Sequence, residues 1–134
     1  MSAETFEGRT IADGTATGTV LRSTEPISFY GAVDIETGEF IEEDHQLEGE
    51  NVSDTVLVFP RGKGSTVGSY VLYGLAKRGN APAAIVNAET ETIVATGAIL
   101  GEIPCVDGID VTALADGDRV SVDADAGTVT LLED

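Results

Sequence analysis

The chain is poor in the residues that build metal centres, disulfides and membrane anchors. Cys105 is the only cysteine among its 134 residues, so an internal disulfide is excluded. One thiol by itself holds neither zinc nor an iron–sulfur cluster. His45 is the only histidine, alone in an acidic, polar segment, and reads as a surface residue rather than a ligand. No run of about 18 apolar residues occurs, and the N-terminus lacks a basic segment followed by an apolar one. The expectation is a soluble, cytoplasmic protein, and the Asn51-Val52-Ser53 glycosylation pattern is discounted accordingly. Positive charge is also scarce. Seven basic residues, only two of them lysines, face 24 acidic ones, for a formal charge of -17. Such a surface repels nucleic acid and anionic membranes, so neither is expected as a partner.

The acidic residues are spread along the chain, as in Glu42-Glu43-Asp44, Asp107, Asp110, Asp116, Asp118, Asp123 and Asp125. That spread fits the solvated surface of a protein from a high-salt cytoplasm, where salt screens self-repulsion. A hydrophobic content of 42% argues for a folded globule, and the length for one domain over residues 1–134 with a buried core.

Against this background one stretch stands out, Phe59-Pro60-Arg61-Gly62-Lys63-Gly64-Ser65-Thr66-Val67-Gly68-Ser69. The apolar run Val56–Phe59 before it reads as a buried strand. Val67, Tyr70, Val71 and Leu75 after it recur at helical spacing, which predicts a helix over about 66–77. A strand, a Gly-rich turn and a helix N-terminus in succession suit a carboxylate or phosphate. Gly62, Gly64 and Gly68 allow close approach, Arg61 and Lys63 supply charge, and Ser65 supplies a hydroxyl. The spacing is not that of a P-loop. Two readings of Ser65 stand side by side: a nucleophile or base in an anion site, or simply the helix N-cap above a tight turn. Ser69, Tyr70 and Tyr73 read as structural or packing residues.

Elsewhere the pattern predicts strands around Thr5–Ile11 and Thr17–Arg22 with a turn at Asp13-Gly14, and a third over Ile27–Val33. Thr37-Gly38 marks a hairpin, and Glu42–Asp54 a long surface loop. Lys77-Arg78-Gly79-Asn80 stops the helix. Ala83–Val86 reads as a buried strand, Ile93–Leu100 as an ambiguous apolar run, and Ile103–Val106 as a strand start. Val120–Asp123 and Thr128–Leu131 form a closing pair of strands. The fold class is α/β, with a layered or barrel-like β portion.

Two blocks carry a resemblance. Gly101–Val106 with Leu114–Asp123 and Gly127-Thr128-Val129 resembles swivelling β/β/α domains, including the mobile phosphohistidine domains of phosphoenolpyruvate-using enzymes. Those domains present a histidine after Thr-Ser in a loop, and nothing here corresponds to it. Phe59–Tyr73 with Gly79–Ile85 resembles the small subunit of aconitase X-type dehydratases, over about Gly8 to Gly127. The chain resembles in particular the archaeal branch of that family, which acts on phosphomevalonate.

That resemblance implies a single swivel-like domain that works as half of a heterodimeric hydro-lyase. The reaction is dehydration of 5-phosphomevalonate to an anhydromevalonate phosphate in the archaeal route to isoprenoids. Ser65 takes the place of the family's proton acceptor, and Arg61, Lys63, Gly64 and Thr66 are the candidates for holding a phosphorylated hydroxy acid. Which cation activates Ser65 and which meets the substrate stays open. No cofactor is expected in this chain, and a [4Fe–4S] cluster is expected in the large subunit. Eliminating water needs a base and an electrophile for the leaving oxygen, and this sequence offers only the first. Two alternatives remain: a related dehydratase acting on a hydroxyproline, and a swivel domain that binds an anion or partner without chemistry.

Overall fold

The two ends of the chain meet in one sheet. In the computed structural model, which describes residues 4–64 and 66–132, β1 (Glu4–Glu7) pairs antiparallel with β8 (Thr128–Leu131). β8 pairs with β7 (Arg119–Asp123), and β7 with β3 (Thr15–Arg22), all antiparallel. β3 then runs parallel to β4 (Val56–Phe59), which continues into β5 (Ala84–Asn87) and β6 (Cys105–Asp107). Antiparallel β2 (Arg9–Ala12) ends the order β1-β8-β7-β3-β4-β5-β6-β2.

β1 and β2 stand at opposite ends of that order, yet only Gly8 separates them in sequence. The Gly8 N–H donates to the Gly127 carbonyl at 2.8 Å, and a Cβ at Gly8 would collide with the Asp107 carbonyl oxygen. Glycine is therefore required where the two sheet edges are drawn together. This closure shields both edges. The expected strand over Thr5–Ile11 is thus two strands in different halves of the sheet.

The central strands β4 and β5 are buried at every position, as parallel strands covered on both faces must be. Their alternation sorts the core. Leu57, Phe59, Ile85 and Cys105 join Leu72 and Leu75 of helix α1 (Gly68–Lys77) and Val94 and Ala98 of helix α2 (Thr92–Gly101). Val56, Val58, Ala84, Val86 and Val106 pack instead with Val120, Val122 and Val129 of the antiparallel half. The layers are therefore antiparallel sheet, parallel sheet and helices, the expected β/β/α arrangement.

The segment between β3 and β4 differs from expectation. Ile27–Val33 is not a strand: Ile27 bridges Gly62 and Val33 bridges Phe40, each in isolation. A turn at Tyr30 and Gly31 breaks the alternation, so Ile27, Phe29, Ala32 and Val33 all reach the helix-side core. The Thr37-Gly38 turn is present, with the Gly38 N–H donating to Asp34 at 2.7 Å, but no regular strands flank it. Glu42–Asp54 is not simply a surface loop, because Leu47 and Val52 pin it into the core. His45 is buried with them rather than exposed. Its ring lies 4.5 Å from that of Phe40, and Nδ1 accepts the Leu47 N–H at 3.1 Å.

Candidate functional site

The carboxyl ends of β4, β5 and β6 lie side by side, the edge at which parallel α/β sheets gather functional loops. Each apolar strand ends in a polar residue or a turn, and these interlock. The buried Asn87 side chain donates to the Phe59 carbonyl at 2.9 Å and accepts from the Thr90 hydroxyl at 2.9 Å. The Ala88 and Glu89 N–H groups both donate to the Pro60 carbonyl at 3.1 Å. Asp107, also buried, accepts the Thr90 N–H at 2.9 Å and forms a two-point pair with Arg9 at 2.9 and 2.8 Å. Burial opposes ionisation of Asp107, but the Arg9 and Thr90 donors outweigh it and hold the carboxyl below its usual range. This lattice fixes the exit of β4 and hence the start of the Gly-rich loop. Asn87, Thr90 and Arg9 were not legible as site residues. The available signal was a polar residue closing each apolar run, as in Val86-Asn87 and Val106-Asp107.

The loop itself is held by backbone. The Ile27 N–H donates to the Arg61 carbonyl at 3.1 Å, and the Lys63 N–H to the Ile27 carbonyl at 3.0 Å. Gly62 is buried against the start of α2: a Cβ there would stand 2.5 Å from Glu91 Oε1 and from a Val94 methyl. Gly64 has φ +91° and abuts Ser28. Gly68 packs beside Ile93 and Phe29. Each of these glycines also makes close contact with the protein itself.

Helix α1 begins at Gly68, later than the Ser65 or Thr66 start expected, and its N-cap is Val67. It is entered through a tighter turn: the Ser69 and Tyr70 N–H groups donate to the Thr66 and Val67 carbonyls at 3.2 and 3.0 Å. The Ser69 hydroxyl also donates to Thr66 at 2.8 Å, which makes Ser69 structural, as expected. Two N–H groups credited to an anion cradle are thus engaged within the turn. At α2, the Glu91 carboxylate caps the Ile93 and Val94 N–H groups at 2.9 and 2.8 Å, which closes that helix end to anions.

Arg61, Lys63, Gly64 and Thr66 are all exposed along the loop, so the structure brings these four candidates onto one rim. Ser65, the candidate proton acceptor, lies outside the described residues. Among the described residues neither Arg61 nor Lys63 is ion-paired, whereas Arg9 pairs with Asp107 and Arg78 with Glu36. Tyr70 and Tyr73 do not pack inside as expected. Tyr70 is 68% exposed and Tyr73 lies beneath the Lys77 ammonium, 5.8 Å from the ring centre.

Cys105 is buried, 3.8 Å from the Thr90 hydroxyl, and burial pushes its thiol up to about 12. A neutral, enclosed thiol is unsuited to ligate an iron–sulfur cluster, which takes thiolates. Among the described residues no three His, Cys, Asp or Glu side chains gather as a metal site, and no helix is long and apolar enough to cross a membrane. The arrangement is an exposed loop that carries two cations without a carboxylate partner among the described residues, with Ser65 between Gly64 and Thr66 in its sequence.

The model of the aconitase X swivel domain matches residues 5–131. The chain belongs to the aconitase X swivel domain family. This swivel domain is 54% identical to the phosphomevalonate dehydratase small subunit of Thermococcus kodakarensis, over 96% of this chain and 97% of that one. It is 55% identical to the protein of the same description from Methanosarcina mazei, over 96% of this chain and 91% of that one. Among solved structures, the holo-form of Thermococcus kodakaraensis aconitase X superposes with a TM-score of 0.95 at 52% identity, covering 97% of this swivel domain and 99% of that chain. At these identities the layered fold and the loop are shared features of one family rather than a chance likeness of β/β/α architecture.

Proposed function

We propose that this swivel domain is the small subunit of a hydro-lyase that dehydrates 5-phosphomevalonate to an anhydromevalonate phosphate, and that it acts only with its large subunit. The observation that carries this reading is the 54% identity, over nearly the full length of both chains, to a protein described as a phosphomevalonate dehydratase small subunit. The free cations of the loop support it chemically. Arg61 and Lys63, exposed and unpaired among the described residues of a chain of charge -17, suit the phosphate and carboxylate of such a substrate.

In this reading Ser65 accepts the proton. A serine hydroxyl is a weak base, and nearby positive charge from Lys63 or Arg61 stabilises the alkoxide that it needs to become. The other cation then holds an anionic end of the substrate, while Gly64 and Thr66 shape the rim. A [4Fe–4S] cluster is assigned to the large subunit, where it supplies Lewis acidity to the departing hydroxyl when bound. The buried, neutral thiol of Cys105 does not fit as a ligand of that cluster. The complex is assigned to the cytoplasm, and the acidic composition to a high-salt interior.

Anaerobic co-expression with the large subunit, followed by assay of the pair and of each subunit alone, tests this. Loss of water from 5-phosphomevalonate by the pair, and by neither subunit alone, is expected. Turnover of a hydroxyproline in place of phosphomevalonate, or stoichiometric iron and sulfide in the small chain alone, would overturn it.

A further inference from the structure

Charge is distributed unevenly along the chain. From Thr55 to Ala88 there is no aspartate or glutamate, and four of the seven basic residues, Arg61, Lys63, Lys77 and Arg78, lie within that stretch. In the fold this stretch supplies β4, the Gly-rich loop, α1 and β5. The two strands are buried, so what reaches the surface is the loop and the outer stripe of α1. The stripe is aromatic and cationic: Tyr70, Tyr73 and Lys77 follow at helical spacing on the side opposite buried Leu72 and Leu75. Tyr30, 60% exposed, stands beside the first turn of α1, where its N lies 3.7 Å from the position of a Cβ on Gly68. Arg78, at the far end, is neutralised by Glu36 at 2.9 Å.

Exposed tyrosines beside Arg61, on a stretch of chain with no carboxylate of its own and with Glu36 only at its far end, have the composition of an interface core, not of an ordinary acidic surface. We propose that the large subunit docks on this face. Tyr30 and Tyr70 are the anchoring rings, and Lys77 meets a carboxylate of the partner. Docking and delivery of the Arg61–Thr66 loop to the shared site are then one contact. A second copy of this chain is the poorer occupant: a two-fold contact would pair the same cationic face with itself and bring two charges of -17 together. This inference rests on the dehydratase reading, because that reading supplies the partner.

The test is the affinity of the purified large subunit for the small subunit carrying Tyr70→Glu or Tyr30→Glu, with Ile99→Glu as the comparison. Ile99 is an exposed apolar residue on α2, and Glu102 follows it in the chain. Circular dichroism and melting of each variant establish that it is folded, and Tyr70→Ala offers a milder second test. Tyr70→Glu and Tyr30→Glu are expected to raise Kd by about 10- to 100-fold, Tyr70→Ala by less, and Ile99→Glu not at all. Wild-type affinity in both tyrosine variants, or loss of affinity in Ile99→Glu alone, would overturn the assignment of this face. Self-association of the isolated chain that Tyr70→Glu abolishes would overturn it in favour of a second copy. Tight, Tyr70-dependent association without turnover of phosphomevalonate would uphold the face and reject the activity.

Discussion

Two regions of the molecule use polar residues in opposite ways. In and around the antiparallel half the aspartates are engaged by backbone N–H groups. Asp110 accepts the Thr112 N–H at 3.1 Å, Asp118 the Ala115 N–H at 2.9 Å, Asp123 the Ala126 N–H at 3.2 Å and Asp125 the Gly14 N–H at 2.9 Å. Asp116 likewise accepts the Arg22 N–H. These carboxylates build turns, so the reading of them as merely solvated surface is incomplete. On the Gly-rich loop the cations Arg61 and Lys63 have no carboxylate partner among the described residues. The loop's rigidity comes instead from backbone bonds to Ile27 and from glycines pressed against Glu91 and Ser28. A polar side chain with a local partner specifies the fold. One held on a fixed backbone without a partner is available to a ligand.

The comparison is sharpened most by Ser65→Ala in the assembled complex. On the proposal that Ser65 accepts the proton, its removal is expected to lower kcat by about 10² to 10⁴, with little change in assembly. Ser65→Asn keeps capping ability while removing the hydroxyl, so near-complete loss of activity in that variant as well separates proton acceptance from a helix-cap role. Stopped or steady-state kinetics on the pair check it.

Next in size is Asp107→Ala, which takes the acceptor from Thr90 and Arg9 beneath the loop. A cost of about 2–3 kcal/mol in urea unfolding is expected. The pH dependence has a definite sign. Asp107 is held below its ordinary carboxyl value, so its contribution is fully present above about pH 4–5 and is lost as pH falls through the lowered native value. Wild type should therefore lose stability in acid more steeply than Asp107→Ala.

Salt comes third. Lowering ionic strength from about 1 M to 0.1 M lengthens the screening distance from about 3 to about 10 Å. With a charge of -17 the melting temperature should fall by several degrees. Equal melting in molar and dilute potassium chloride would sever the composition from a high-salt setting.

The smallest effect concerns Cys105. Burial keeps its thiol neutral up to about 12, so iodoacetamide at pH 8 should leave the native protein unmodified and label it only on unfolding. The unfolded thiol ionises near pH 8.5, so the stability that this burial contributes is present below that value and declines as pH rises toward 12.

Much of this was legible in the sequence. The continuous apolar runs Val56–Phe59 and Ala84–Val86 mark the two buried parallel strands, and the glycine-rich turn with Arg61 and Lys63 marks the rim. What escaped was set by tertiary contacts. The break at Gly8 follows from the Asp107 carbonyl that crowds it, a contact between residues far apart in the chain. His45 looked exposed because its neighbours are acidic, but Leu47 and Val52 draw the segment inward. That Gly62, Gly64 and Gly68 also press against Glu91, Ser28 and Phe29 was not legible, because which neighbour fills the space above a glycine is not encoded locally. The absence of acid from Thr55 to Ala88 was in plain view and is the best single pointer to the functional face.

The claim that ligand chemistry belongs to the loop and folding to the acidic turns is tested most directly by removing charge from each in turn. The complex carrying Arg61→Gln with Lys63→Gln is compared with that carrying Asp118→Ala with Asp125→Ala, by melting temperature and by KM for 5-phosphomevalonate. The loop pair is predicted to raise KM by about 10-fold or more at unchanged melting. The aspartate pair is predicted to lower stability by about 1–3 kcal/mol at unchanged KM. An unchanged KM in the loop pair, or a raised one in the aspartate pair, would contradict the account.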